Sequence, residues 1–171
     1  MMRWLGALLI IGCTTIYGFY QARLLQERPR HIRQLRSALQ SLEAEMLYGQ
    51  TPLAKASQNI AEQLKGPVAA LFATFSRSLA EKKATAKDAW ETAIHDTWKD
   101  LSLQEKEKEV LLQFGATLGT MDRVHQQKQL KLTQTHLERD EEEAKSIQAR
   151  YEKMYKALGV LAGLLIVILM M

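Results

Sequence analysis

Two runs without a single charged residue stand at the two ends of this 171-residue chain. Trp4–Tyr20 is 17 residues long and Ala157–Met171 is 15 residues long. A helix that crosses a bilayer needs roughly 20 apolar residues, so the first run suffices with slight bilayer thinning and the second suffices if it begins at Tyr151. The sequence therefore predicts a transmembrane helix at each end of the chain.

The region between the two runs has the composition of a helical domain. Few glycines and prolines interrupt it, whereas an all-β fold needs many more turns. We predict an all-α protein, an antiparallel bundle of about six helices between two transmembrane helices. The predicted segments are an N-terminal transmembrane helix and juxtamembrane segment at 1–27, a cytosolic helical bundle at 28–150 and a C-terminal transmembrane helix at 151–171.

Arginines crowd the segment that follows the first run. Residues 23–36 contain five arginines and one glutamate, a net charge of +4 in fourteen residues. Clustered Lys and Arg beside a membrane span stay on the cytoplasmic side, and Lys145, Arg150, Lys153 and Lys156 repeat this signal before the second run. The middle region is therefore predicted to be cytosolic, with both termini on the other side of the membrane.

Two alternatives to this membrane protein remain open. An arginine stripe in a chain of net positive charge is also typical of a helical module that binds anionic lipid or nucleic acid. Ile10-Ile11-Gly12-Cys13 resembles the cleavage box of a lipoprotein, which would be anchored at Cys13. Cys13 is the sole cysteine, so the chain can form neither an intramolecular disulfide nor a cysteine-built zinc site.

Apolar residues in the middle region recur at helical spacing. Ile32, Leu35, Leu39, Leu42 and Met46 lie three and four residues apart, which predicts one face of a first helix. Signals for further helix starts are Thr51 before Pro52, Gly66 before Pro67, and capping boxes of Thr85 with Asp88 and of Ser102 with Glu105. The predicted buried stripes of these helices are Leu53, Ala56, Ile60 and Leu64; Val68, Leu71, Phe72, Phe75 and Leu79; Ala89, Trp90, Ala93, Ile94 and Thr97; and Val110, Leu111, Phe114 and Leu118.

A seven-residue repeat runs through the last part of the chain. It consists of Leu130, Leu137, Ala144, Tyr151 and Leu158, with Thr133, Ile147 and Met154 three residues further on in their heptads. Such a repeat predicts one long helix with a seam that packs against another helix. Asp140 interrupts this seam. The acidic run Asp140–Glu143 is interpreted as a solvated face or as a contact for a basic partner.

Catalytic motifs are absent from the sequence. It contains neither G-x-x-x-x-G-K-[ST] nor G-x-G-x-x-G, and its four histidines lack the i, i+4 spacing that would put two metal ligands on one helical face. We therefore expect no enzyme activity, cofactor, metal site or small-molecule substrate. Small-residue pairs at Gly18 and Ala22 and at Gly159 and Gly163 would let transmembrane helices approach closely, within one chain or between copies.

Several strings of the sequence carry a family resemblance. E-R-P-R-H-I-R-Q-L-R begins at Glu27, Y-G-Q-T-P-L ends at Leu53, and F-G-A-T-L-G-T-M-D-R-V-H-Q begins at Phe114. With these strings in this order, nearly the whole chain resembles the stage III sporulation protein AB family of endospore-forming bacteria. The chain also resembles, more faintly, the cytoplasmic F-domain of type II secretion and type IV pilus platform proteins. That broader family has polytopic members with two such domains, whereas this chain has one.

The resemblance implies a platform in the channel complex that joins mother cell and forespore, lodged in the outer forespore membrane with an F-domain-like bundle in the mother-cell cytosol. It implies that the bundle docks a cytosolic ATPase similar to stage III sporulation protein AA and contacts other membrane proteins of the complex. Membrane lipids and a second copy of the chain are further expected partners, and nucleic acid is not. Candidate partner-binding residues are Arg28, Arg30, Arg33 and Arg36 and the acidic Asp140, Glu141, Glu142 and Glu143.

Overall fold

The computed structural model describes residue 16 and residues 26–45, 51–81, 85–118 and 123–170, with only the backbone for some residues of the last range. All regular structure in these ranges is helical. Helix α1 covers 26–45, and it is followed by α2 at Leu53–Gln63, α3 at Pro67–Ala80, α4 at Ala86–Thr97, a 3-10 turn at Trp98–Asp100, α5 at Glu105–Thr117 and α6 at Arg123–Met170. The predicted all-α class is confirmed, with six α-helices and no strand within these ranges.

The chain divides into two compact units. Arg30–Glu141 forms the first unit, and Met1–Pro29 together with Glu142–Met171 forms the second. Within the first unit, α2 packs on α3, α3 on α4 and α4 on α5. α1 and α6 run antiparallel there, since Arg33 pairs with Glu141 whereas Gln134, earlier in α6, bonds to Glu43, later in α1.

α1 carries the apolar face that its spacing predicts. Ile32, Leu35, Leu39 and Leu42 are completely buried. Met46, the last member of the predicted face, lies outside the described residues. Burial of one such side chain contributes about 1.5–3 kcal/mol, so this helix face is a major source of the hydrophobic stabilisation of the first unit.

The start of α2 differs from the prediction. Pro52 is the N-cap residue and Leu53 is the first helical residue, whereas the sequence predicts Thr51 as the cap. The Thr51 hydroxyl instead donates a hydrogen bond to Glu45 Oε2 at 2.7 Å. The threonine therefore connects α2 to the preceding helix, a role that a local capping pattern does not reveal.

The start of α3 agrees with the prediction. Gly66 is the N-cap residue and Pro67 is the first residue of the helix. Gly66 has a φ of +85°, in the left-handed region where only glycine is free of steric strain. The two residues together make a sharp entry into α3, which buries Val68, Leu71, Phe72 and Phe75.

Trp90 on α4 is the centre of the aromatic core. Its ring meets Phe72, Phe75 and Phe114 edge-on, with ring centroids 5.7, 4.9 and 5.5 Å away. Its indole N–H donates to the carbonyl oxygen of Leu111 at 2.8 Å, so the polar atom of this fully buried side chain has a partner. Because these contacts come from α3 and α5, Trp90 joins three helices.

α4 begins with the predicted capping box. The Asp88 backbone N–H donates to Thr85 Oγ1, and the Thr85 backbone N–H donates to the Asp88 carboxylate, both at 3.2 Å. The carboxylate also accepts from the Thr85 hydroxyl at 2.7 Å, and these hydrogen bonds lower the pKa of Asp88 below its usual 3.8. All five residues of the predicted stripe on α4 are buried: Ala89, Trp90, Ala93, Ile94 and Thr97.

The predicted capping box of α5 is wrong. The N-cap residue is Gln104, whose backbone N–H donates to Glu107 Oε2 at 2.6 Å, two residues beyond the predicted pair of Ser102 and Glu105. The Ser102 backbone N–H donates instead to His31 Nδ1 at 3.0 Å. In the predicted box this backbone N–H would donate to Glu105, and its bond to His31 replaces that contact.

α6 follows the predicted heptad seam in part. Leu130, Leu137 and Ala144 are buried, as the repeat predicts. Tyr151 and Leu158, the next two members, are 38% and 53% exposed. The prediction of a packed seam is therefore confirmed at Leu130, Leu137 and Ala144, and it stays a prediction for the members that follow, which are exposed within one chain.

The predicted membrane spans are unsupported by this structure. The run at Trp4–Tyr20 lies outside the described residues except for Ile16, and α6 is described as far as Met170. Among the described residues, no helix combines the length and the apolar character that a bilayer crossing requires.

Candidate functional site

Four charged side chains meet between α1 and α6 and are named here the arginine–glutamate cluster: Arg33, Arg36, Glu138 and Glu141. Glu141 Oε1 accepts a hydrogen bond from Arg33 Nε at 3.0 Å, and its Oε2 accepts one from Arg36 Nη1 at 2.6 Å. Arg36 Nη2 donates to Glu138 Oε1 at 2.8 Å. Each carboxylate oxygen of Glu141 thus has its own guanidinium donor, and Arg36 joins two glutamates.

Helical spacing explains why these four residues come together. Arg33 and Arg36 are three residues apart on α1, and Glu138 and Glu141 are three residues apart on α6. Residues three apart share a helix face, so each helix presents two like charges to the other. The antiparallel arrangement then sets each arginine against a carboxylate, and charge-assisted hydrogen bonds of this kind are stronger than neutral ones.

The cluster extends from solvent into the protein. The Glu141 side chain is 3% exposed and that of Arg36 is 23% exposed, whereas Arg33 is 65% exposed. A buried carboxylate is costly unless it is paired, so Glu141 depends on its arginines. The interpretation of Asp140–Glu143 as a solvated face is therefore wrong at Glu141.

Two further polar contacts connect α6 to its neighbours in the first unit. Lys106 Nζ on α5 lies 3.0 Å from Asp140 Oδ1, and the Asp140 side chain is only 15% exposed. Gln134 Nε2 donates to Glu43 Oε2 on α1 at 3.0 Å. Asp140 is therefore also no solvated residue, and α6 is bound by charge to both α1 and α5.

The other predicted partner-binding residues lie closer to solvent. Arg30 is exposed and Arg28 is half-buried at the start of α1, and Glu142 and Glu143 are exposed on α6. The structure thus separates the predicted set into residues that hold helices together and residues that are accessible. Arg36, Asp140 and Glu141 belong to the first group.

The predicted small-residue pairs fall largely outside the description. Gly18 and Ala22 lie outside the described residues. Gly159 and Gly163 belong to α6, and the structure describes only the backbone at these two positions. Their predicted role in helix packing stays a prediction.

His31 is a buried polar residue whose contact the sequence analysis did not predict. Its side chain is 5% exposed, and its Nδ1 accepts the hydrogen bond from the Ser102 backbone N–H, which links α1 to the segment before α5. His95, in contrast, has a side chain that is 90% exposed, as expected for a surface histidine. The only sequence signal for His31 was its place beside Ile32, on the edge of the apolar face of α1.

Two open grooves are found among the described residues. No group of three or more His, Cys, Asp or Glu side chains within them is arranged to hold a metal ion. A groove of about 400 Å³ lies between α4 and α5, lined by Ile94, His95, Lys108 and Leu112 among others. A second groove of about 410 Å³ lies between α2 and α3, with Ala61, Ala73 and Ala80 in its lining.

Comparison with known proteins gives a consistent result over the whole chain. The stage III sporulation protein AB family matches residues 3–171. Stage III sporulation protein AB of Bacillus subtilis (strain 168) is 54% identical over 171 residues, which is all of both chains. A solved structure of stage III sporulation protein AB has 56% identity and a TM-score of 0.70, and the match covers 72% of this chain and 98% of that one. This chain therefore belongs to the stage III sporulation protein AB family.

Proposed function

We propose that this chain is a non-enzymatic platform in the channel complex between mother cell and forespore, and that its helical unit docks a cytosolic ATPase similar to stage III sporulation protein AA. Membership of the family gives the chain a role in sporulation. The platform proposal is supported by the extent of the family match, since residues 3–171 include both charge-free runs as well as the helical unit. A platform needs both parts: ends that attach to a membrane and a domain that presents a surface.

In this proposal the charge-free runs anchor the chain in the outer forespore membrane, and the helical unit lies in the mother-cell cytosol. The net charge of +4 in residues 23–36 supports this orientation, because clustered arginines beside a span stay on the cytoplasmic side. When the chain is produced in non-sporulating cells, where its membrane faces the medium, protease added to the outside of intact cells should leave the helical unit uncut. Digestion of that unit while cytosolic markers survive would contradict the orientation.

The arginine–glutamate cluster narrows the choice of docking residues. Arg36 and Glu141 connect α1 to α6, so their substitution would disturb the fold itself. Arg30 is exposed, and 65% of the Arg33 side chain is accessible. An exposed guanidinium presents several donors in a geometry that matches carboxylates. We therefore assign the contact with the ATPase to the N-terminal end of α1, where Arg30 and Arg33 would face an acidic surface of the ATPase.

Charge reversal tests the docking role. Arg30→Glu in the full chain should reduce the amount of ATPase that co-purifies from membranes, because a like charge now faces the acidic surface. Arg77→Glu is the matched control, since Arg77 is also an exposed arginine on a helix of the first unit and the charge change is the same. Equal recovery of the ATPase with Arg30→Glu and with the parent chain, at equal helical content, would remove the role of α1.

The same preparations test the nucleic-acid alternative. Binding of a labelled nucleic acid that falls steeply with added salt would favour it, because phosphate contacts release counterions. The pairing of Arg36 with Glu138 and Glu141 speaks against it, since the donors of that arginine are already in use.

A further inference from the structure

An apolar row continues along α6 beyond the buried part of its heptad repeat, and is named here the outer seam: Tyr151, Met154, Leu158, Leu161, Leu165 and Ile168. Its members are 38%, 41%, 53%, 61%, 59% and 66% exposed in that order. We infer that the outer seam pairs with the outer seam of a second copy of this chain, as two parallel α6 helices in register. This inference rests on the membrane attachment of the proposed function but does not depend on the ATPase.

The spacing of the outer seam is that of a helix-pairing surface. Its members are separated by three, four, three, four and three residues, so they fill alternate a and d positions of a heptad. The same repeat places Leu130, Leu137 and Ala144 at a positions, and these three are buried. The same heptad positions are thus buried in the first part of α6 and exposed in the second part. The outer seam therefore continues a row of residues that already packs against other helices.

Lipid alone does not account for the first part of the outer seam. Tyr151 and Met154 lie in a charged stretch, with Arg150 and Lys153 exposed beside them. Each charge at these positions costs several kcal/mol in hydrocarbon unless its side chain reaches the membrane surface, so acyl chains cover this stretch only in part. Large apolar side chains that stay on one face of a charged helix are typical of contact with another protein helix.

The positions beside the outer seam are compatible with a second copy. In a parallel pair, each g position faces the e position five residues later in the partner. Glu143 then faces Gln148 of the other copy, and Arg150 faces the uncharged position 155, so no like charges meet. A surface that complements itself generates a closed two-fold pair, and copies inserted in the same direction in a membrane are already parallel.

Cysteine cross-linking in the full chain tests the pairing. In a Cys13→Ser background, which removes the sole native cysteine, Met154→Cys and Leu161→Cys each place one thiol in the outer seam. Lys153→Cys is the matched control, because it is exposed and adjacent to Met154 but belongs to a c position. Disulfides need Cβ atoms about 3.5–4.5 Å apart, so thiols at opposed seam positions should cross-link far more readily than thiols at c positions, which point away from the partner. Mild oxidation of membranes should convert most of the seam variants, and little of the control, to dimers.

The possible results show whether a second copy, lipid or another protein covers the outer seam. Dimers that form equally at Met154 and Lys153 would reflect random collision, and the absence of dimers at both seam positions would mean that lipid or another protein covers the row. Either result overturns the inference. Sedimentation of the unsubstituted chain in mild detergent gives an independent measurement, with twice the mass of the chain expected and a single chain contradicting it. Recovery of the ATPase is scored separately, so the failure of docking and the failure of pairing are distinguishable.

Discussion

At the scale of single residues, Gly115 on α5 occupies a position with no room for a side chain. A Cβ atom added there would overlap Trp90 Cδ1 and lie 3.1 Å from Trp90 Cγ. The ring has no room to retreat, because Phe72, Phe75 and Phe114 surround it. A helix interior ordinarily favours alanine over glycine by about 1 kcal/mol, so glycine is required at this position by space and not by backbone conformation.

Gly115→Ala should therefore destabilise the protein although it improves helix propensity. We expect the free energy of unfolding to fall by about 1–3 kcal/mol, the usual cost of overpacking a well-packed core. The measurement is urea unfolding of a fragment that contains residues 26–150. Gln113→Ala, at an exposed position of the same helix, should change the stability by less than about 0.5 kcal/mol. A more stable Gly115→Ala variant would show that propensity outweighs the clash with Trp90.

His31 sets a second constraint at the residue scale. His31→Leu keeps most of the buried volume but leaves the Ser102 backbone N–H without its acceptor, so we expect a loss of about 1–3 kcal/mol. His31→Asn should recover part of that loss, since an amide oxygen can accept the same hydrogen bond. His95→Leu, at a side chain that is 90% exposed, is the control. If the leucine and asparagine variants of His31 are equally stable, the hydrogen bond contributes nothing.

At the scale of helices, the arginine–glutamate cluster fixes α6 to α1. Glu141→Gln keeps the size of the side chain but removes the charge that both arginines contact. Hydrogen bonds between charged groups contribute about 1.5–3 kcal/mol, and we expect a loss of that size in urea unfolding. Glu142→Gln makes the same change one residue further on at an exposed position, and its effect should stay within about 0.5 kcal/mol. Equal losses for both variants would mean that the cluster is not specific.

The capping box of α4 predicts a dependence on pH. Because the pKa of Asp88 is lowered in the folded state, its hydrogen bonds with Thr85 stabilise the protein above the usual carboxyl pKa of 3.8 and are lost as the pH falls through the folded value. An NMR titration of the Asp88 carboxyl should give a midpoint below 3.8 in the parent chain. Thr85→Ala should move that midpoint back towards 3.8, since it removes the hydroxyl donor. A midpoint that Thr85→Ala leaves unchanged would assign the shift to another cause.

Helices whose boundaries depend on local chemistry could be predicted from the sequence, and those that depend on distant contacts could not. The spacing of Ile32 and Leu35, the Gly66 entry and the Thr85 box are all local, and the structure agrees with each. The start of α5 depends on the bond between Ser102 and His31, which lie 71 residues apart. The same limit applies to the site. The charged residues could be recognised as candidates for partner binding, but the ion pair between Arg33 and Glu141 follows only from the antiparallel contact of their helices.

At the scale of the whole molecule, the first unit is completed by helices from its two ends. Arg33 and Glu141 are 108 residues apart in the chain, and α6 also supplies the buried Leu130 and Leu137. A fragment of residues 26–122, which lacks α6, should lose its cooperative unfolding transition, whereas residues 26–150 should keep it. Circular dichroism against urea measures both, since the steepness of the transition reports the surface exposed on unfolding. A steep transition in the shorter fragment would show that α6 is dispensable for the core.

The distance along the chain between Arg33 and Glu141 also has a consequence for biosynthesis. α1 leaves the ribosome early, but the carboxylate that its arginines contact is translated only after α2, α3, α4 and α5 have been made. Contacts of such long sequence separation form slowly, and apolar surface that waits for them is prone to aggregate. During synthesis α1 therefore stays without its α6 partner until Glu141 has been translated, after the four helices between them have already been made.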